Sequence, residues 1–391
     1  MEIIEVTNLK TANQFINVNV ILNKNLHNYI RPLDKDIKEI FDSNKNKNFK
    51  NGELKRWILR NDNKELIGRI VAFTNTNYIN KGTDFETGGI GFFECINDQT
   101  AANKLFDKAK NWLQVQGMQA MDGPINFGDR DKYWGLLVEG FDIEPIYGMP
   151  FNHPYYQELF ENYGFKNYYN QYWFAMNVDD ALPSRFQERY KKFTSKPDYS
   201  ARHVELKYLK KYAKDFTTVY NAAWAQHGEG KQMTIQEVEQ LFKTMKPIMD
   251  ERVIWFAYYK DEPIAMFISI PDVNQYFKHF NGKLGIIEKL RLLWMKKTLK
   301  RKKLTGLAFG VVPKYQALGI DSYLIQSCSY QMQHKNWYSS YEMGWAGDWN
   351  PRMHNIYKSL GGSQSRRMVT YRFIFNEEQH PFERHPIMEY K

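Results

Sequence analysis

The stretch VVPKYQALGIDSYLI, Val311–Ile325, opens on β-favouring residues, turns at Pro313 and continues as a helix past a single glycine, Gly319. So short a passage from strand to helix has two readings. In one, Gly319 relaxes a βα turn, and Asp321 and Ser322 suit the first turn of the helix. In the other, the unpaired N–H groups at the helix start hold an anion. The stretch alone leaves both open, and the rest of the chain decides between them.

With 391 residues, 43% of them hydrophobic and 16% aromatic, the chain buries a sizeable core and has room for two domains. The opening MEIIEVTNLK lacks the apolar stretch of a secretory signal, and no run reaches the ~18 apolar residues of a membrane span, so the cytoplasm is the expected compartment. Cys95 and Cys328 are too few for a disulfide scaffold and lack the paired spacing of a zinc site, and no metal is expected. A net charge of +10 favours acidic partners where it clusters. It clusters most in EKLRLLWMKKTLKRKK, Glu288–Lys303, where Ile286, Ile287, Leu290, Leu293 and Trp294 at helical spacing precede a basic end. This predicts either an amphipathic helix packed on its own domain or a surface-seeking helix at 284–303 that meets an anionic membrane.

The same order of elements occurs twice. KRWILRNDNKELIGRIVAF reads as strand, polar turn, strand; GIGFFECI follows as a strand, and DQTAANKLFDKAKNWLQVQG as a helix capped by Asp98. In the second half RVIWFAYYKDEPIAMFISI, LTGLAFGVV and DSYLIQSCSYQMQHK repeat that order, and WYSSYEMGW, NPRMHNIYKSLGG and MVTYRFIF complete it. The pattern predicts an α/β (α+β) fold of two parallel halves, each a mixed, mostly antiparallel sheet flanked by helices. The first spans 1–178, a charged, proline-marked linker covers 179–200, and the second spans 201–391 with a basic helical insertion at 274–303.

This order, with its glycine turn after the fourth strand of a half and an Asn-started helix ending at Gly361, resembles the GNAT superfamily of acyl-CoA N-acyltransferases, here in tandem. The family motif, Gln or Arg, two residues, Gly, one residue, then Gly or Ala, is met by Gln316 and Gly319; Asp321 departs from it. The resemblance implies an acetyl-CoA or longer acyl-CoA donor held by Val311, Val312, Gln316, Leu318, Gly319, Ile320 and Asn350. It also implies that Tyr357, seven residues after Asn350 and four before Gly361, protonates the departing thiolate. A carboxylate at Asp321 aimed at the cradle repels such a ligand, so Asp321 has to turn away or CoA is not bound there. In the first half Asn97, Thr100 and Ala102 stand at the cradle positions and Phe160 at the tyrosine position, which implies a half without a working cofactor site. That half is expected to shape the acceptor pocket instead.

GFFECINDQTAANKLFDKAKNWLQVQG, DGPINFGD, MPFNHPYY, NAAWAQHGEG and EMGWAGDWNPRMHNIYKSLGG are similar to a bacterial family of about this length that includes the bacterial ceramide synthases. The resemblance spans nearly the whole chain and implies an amine acceptor, with a lipid, sphingoid-base-like amine as one candidate. Such a reaction needs a base for the amine proton, and Glu342, Asp348 and His227 are the candidates; His354 reads as helix surface. Two other readings stay open: a FemABX-like peptidyltransferase using aminoacyl-tRNA, and a non-catalytic ligand-binding or membrane-associated protein. The Gln316 and Gly319 pair argues against a nucleic-acid partner, and Asp321 keeps the non-catalytic reading alive.

Overall fold

A computed structural model describes residues 1–78, 85–128, 130, 132–224 and 232–388. In chain order the first half carries β1 (Glu2–Glu5), α1 (Leu9–Asn23), α2 (Asp34–Ile40), β2 (Leu54–Arg60), β3 (Leu66–Phe73), β4 (Thr87–Cys95), α3 (Gln99–Val115), β5 (Ala120–Gly123), β6 (Leu136–Glu139), α4 (Tyr156–Tyr163) and β7 (Lys166–Asn177). The second carries α5 (Ser184–Thr194), β8 (Tyr199–His203), α6 (Leu209–Trp224), α7 (Ile235–Met245), β9 (Ile254–Tyr259), β10 (Glu262–Pro271), α8 (Asn274–Phe277) and α9 (Ile286–Thr298). It ends with β11 (Lys302–Val311), α10 (Ile320–Gln333), β12 (Tyr338–Gly347), α11 (Pro351–Ser359) and β13 (Ser363–Ile374).

The helices start where the local chemistry starts them. The Asp98 carboxylate accepts the N–H groups of Thr100 and Ala101, and Thr234 with Glu237 forms a reciprocal capping box on α7. Ala101, Leu105, Phe106, Ala109 and Leu113 then fall on one face of α3, all fully buried. The connection between the halves also carries a helix, α5, because Phe186 and Phe193 stand two turns apart and bury into the second core.

The two halves share one mixed, mostly antiparallel sheet, which the periodicity of the sequence does not reveal. Its order is β1-β2-β3-β4-β5-β13-β7-β12-β11-β10-β9-β8, with β6 alongside β13. The chain's last strand therefore lies between two strands of the first half, and β7 of the first half pairs with β12 of the second. The junction is tied by a buried ion pair, Arg372 on β13 to Asp122 on β5, with two contacts of 2.7 Å. The Arg372 guanidinium lies 3.6 Å from the Tyr168 ring centre, and both charged side chains are all but excluded from solvent.

The insertion after β10 is anchored to the first half by Asp272, which accepts the N–H groups of Tyr147 and Asn274. Burial pushes the Asp272 carboxyl up from 3.8 to about 6, although those two hydrogen bonds pull the other way. Between about pH 4 and 6 the folded protein therefore holds a proton that the unfolded chain has lost. Stability from this group rises as pH falls through 6, by about 1 kcal/mol per unit, and levels off below the unfolded value. Asp272→Asn should remove that slope from denaturation midpoints measured between pH 4 and 7. An unchanged slope would show that the carboxyl ionises normally in the fold.

Candidate functional site

The candidate site lies where two parallel strands part. β11 and β12 pair only from Lys302 opposite Tyr338 to Thr305 opposite Glu342. Beyond that point β11 follows β10 and β12 follows β7, each with a register shift, at Leu307 and at Gly344. Such bulges bend a strand and end its pairing, so the two strands splay. Both strands carry a glycine beside the gap, and each is closely approached: a Cβ at Gly306 would meet the Tyr341 hydroxyl at 2.5 Å, and one at Gly344 would lie 3.6 Å from the Gly306 carbonyl oxygen.

Tyr357, on α11, points its hydroxyl at this gap, 3.8 Å from where a Gly344 Cβ would be. Its ring is held against Phe174, with centres 5.3 Å apart. Burial alone pushes the hydroxyl above the usual tyrosine range, and no protein group shares its proton among the described residues. At neutral pH it is a protonated, unengaged donor.

The start of α10 follows the end of β11 through a short turn. Ala317 and Gly319 both take left-handed backbone angles, φ 60° and 91°, which turn the chain sharply into the helix. Among the described residues the N–H groups of Ile320, Asp321 and Ser322 have no backbone acceptor, as expected of a first helical turn without a side-chain cap. The Gln316 side chain donates to the Val311 carbonyl at 3.0 Å, closing the loop onto the end of β11, and the Val312 N–H is taken by Ile264. Leu318 is exposed and Ile320 is core. Any ligand of this loop therefore meets backbone rather than the Gln316 or Ile320 side chains.

The remaining sequence candidates separate. Asn350 caps α11, accepting the Met353 N–H at 3.2 Å. Glu342 accepts from the Ser365 hydroxyl at 2.6 Å and lies 3.6 Å from Arg366, facing β13. Asp348 is tied to the Asn170 backbone and side chain and to Arg384 at 2.5 Å, which makes it a corner post for the C-terminal tail. His354 contacts the Gly347 carbonyl at 3.0 Å, and His227 lies outside the described residues.

Sequence reasoning missed two features. The first is Arg189 on α5: the helix crosses the loop so closely that a Cβ at Gly319 would lie 2.8 Å from the Arg189 side chain. The pattern RFQERYKKF signals an amphipathic helix but not where it docks. The second is a small cavity in the first half, bordered by Arg69, Glu94 and the loop Tyr29–Asp34. Glu94 accepts from Asn19, Asn23, Arg69 and Tyr156. These side chains come from two helices and two strands, so no local pattern links them.

The first half differs at each corresponding point. The Asp98 carboxylate occupies the start of α3, where an anion would sit. The strand gap is bridged by the Ile125 N–H to the Ile90 carbonyl at 2.7 Å, and Phe160 is fully buried against Phe93, Phe106 and Phe165.

Two α/β halves joined in one sheet, the second with its parallel strands splayed, define a tandem GNAT-fold protein. In fold the chain is similar to a tandem GNAT protein from the clavulanic acid biosynthesis pathway, with a TM-score of 0.54 at 11% identity over 96% of this chain and 98% of that one. In sequence it is related to the bacterial ceramide synthase of Caulobacter vibrioides, 24% identical over 374 residues that cover 95% of this chain and 97% of the relative. Protein YghO of Escherichia coli is 25% identical over 325 residues, 81% of this chain and 80% of its own. No family model matches the chain.

Proposed function

We propose that the second half is an acyl-CoA-dependent N-acyltransferase site and that the first half carries no cofactor. The observation that carries this reading is the Tyr357 hydroxyl, protonated and unengaged among the described residues, beside Gly344 where β11 and β12 part. In this reading the thioester lies along the gap, with its diphosphate at the start of α10 and its sulfur turned toward that hydroxyl. The amine attacks the thioester carbon, the C–N bond forms, the C–S bond breaks, and Tyr357 supplies the proton that the leaving thiolate takes up. Backbone N–H groups of the α10 start meet the diphosphate, and Arg189 adds a cation above Gly319.

The acceptor is proposed to be an amine on a long-chain lipid, in keeping with the name of the Caulobacter relative. Glu342 and Asp348 are engaged in structural contacts, which leaves solvent or a group outside the described residues to receive the amine proton.

Calorimetric titration of CoA and several acyl-CoAs should show one site per chain. Gly319→Trp should abolish it, because a side chain at φ 91° is strained and collides with Arg189. Saturable binding that survives this substitution would place the cofactor elsewhere.

A further inference from the structure

Helix α9 turns its apolar side outwards. Ile286, Ile287, Leu290, Leu293 and Trp294 are 80%, 77%, 63%, 50% and 64% exposed. At ~100° per residue they share an arc of ~120°. The helix is held from the opposite side, where Leu292 is buried among Val273, Phe277 and Phe280. A helix resting on its own domain would bury the wide apolar stripe, and α9 does the reverse.

The charges around the stripe are also arranged for a surface. Between Lys283 and Lys303 there are nine basic residues and one acidic residue, Glu288. Glu288 is spent on the helix start, accepting the Gly285 N–H at 2.8 Å. Four of the six basic residues at the helix end serve the fold. Lys296 donates to the Pro247 and Met249 carbonyls, Arg301 pairs with Asp179, Lys303 pairs with Glu144, and Lys302 is buried. Lys283, Lys289, Arg291, Lys297 and Lys300 remain exposed. By helical spacing Lys289 and Arg291 flank the stripe on its two sides, where long basic side chains reach the headgroup level while the apolar residues enter the acyl boundary.

We propose that α9 is a docking helix for an anionic lipid bilayer. A second copy of the chain would bring the same positive surface against this one, so charge complementarity selects anionic headgroups instead. The position gives the docking a use. Gly282, just before α9, accepts the Asp34 N–H at 2.9 Å, and Leu33 packs in the same cluster as Leu292. Docking through α9 therefore brings the Tyr29–Asp34 loop, which borders the first-half cavity, close to the bilayer surface.

The test is flotation of the full chain, without acyl-CoA, on vesicles of equal parts phosphatidylcholine and phosphatidylglycerol, and on phosphatidylcholine alone. The parent should float on the anionic vesicles and at least about tenfold less on neutral ones. Raising salt from about 0.1 M to about 1 M, which shortens the Debye length from about 10 Å to about 3 Å, should release most of it. Leu290→Ser with Ile287→Ser and Trp294→Ser should abolish flotation, and Lys289→Gln with Arg291→Gln and Lys297→Gln should weaken it about tenfold and flatten its salt dependence. These side chains are exposed, so both variants should keep the parent's circular dichroism and acyl-CoA titration, which separates this result from the fate of the acyl-transfer reading. A parent that does not float on anionic vesicles, or a serine variant that floats as well as the parent, would overturn the proposal. So would a concentration-dependent dimer that the serine variant dissolves, which would assign the face to a second copy.

Discussion

Tyr357→Phe is expected to lower turnover on the order of a hundredfold, about 3 kcal/mol of activation free energy, with acyl-CoA affinity nearly unchanged. The substitution removes one oxygen from a side chain whose ring packs on Phe174 and whose hydroxyl bonds to no protein group among the described residues. The fold loses almost nothing, so thermal stability should match the parent. What is lost is the proton donor at the strand gap, felt only as charge develops on the leaving sulfur. Steady-state rates with a thiol-reporting reagent, beside calorimetric affinity, separate the two effects. A parental rate would reduce Tyr357 to a packing residue and remove the observation on which the acyltransferase reading rests.

Asp122→Ala should cost about 3–5 kcal/mol of stability, the usual result of leaving one member of a buried ion pair uncompensated. The Arg372 guanidinium keeps the rings of Tyr168 and Phe85 but loses both carboxylate contacts, and the Tyr78 hydroxyl loses its bond to Asp122. Because Arg372 belongs to the last strand and Asp122 to the first half, the damage should spread beyond one domain. Chemical denaturation followed by tryptophan fluorescence should show a single transition shifted to lower denaturant. A loss below about 1 kcal/mol, or a second half that unfolds at the parental midpoint, would mean that the shared strand does not couple the halves.

Other substitutions act through narrower causes. Gly319 matters for its backbone angle and for the room it leaves beneath Arg189, whereas Gln316 acts as a loop staple through its bond to Val311.

Much of the local structure was legible because each element announces itself over a few residues. Asp98 before the apolar face of α3, the Pro351 start of α11 and the Asp261 turn between β9 and β10 are short-range chemistry, and they appear where the patterns place them. The passage from Val311 to Ile325 likewise forms a strand end, a turn and a helix begun by a left-handed Gly319. By itself, then, the sequence determined the recurring strands and helices of the two parallel series, their order and the glycine turn that sets one half apart from the other, but not α5 or β8 at the connection between them.

Only the tertiary structure decided how those series combine. Strand pairing between β13 and β5, or between β7 and β12, depends on edges that meet across hundreds of residues, and periodicity records which face of a strand is buried but not its neighbour. The same limit explains Glu342 and Asp348, acids whose surroundings give them structural partners, and Arg189, a linker residue that a docked helix brings over the Gly319 turn. It explains α9 as well. An amphipathic pattern is identical whether its apolar side faces in or out, and the side it faces is set by what Leu292 packs against.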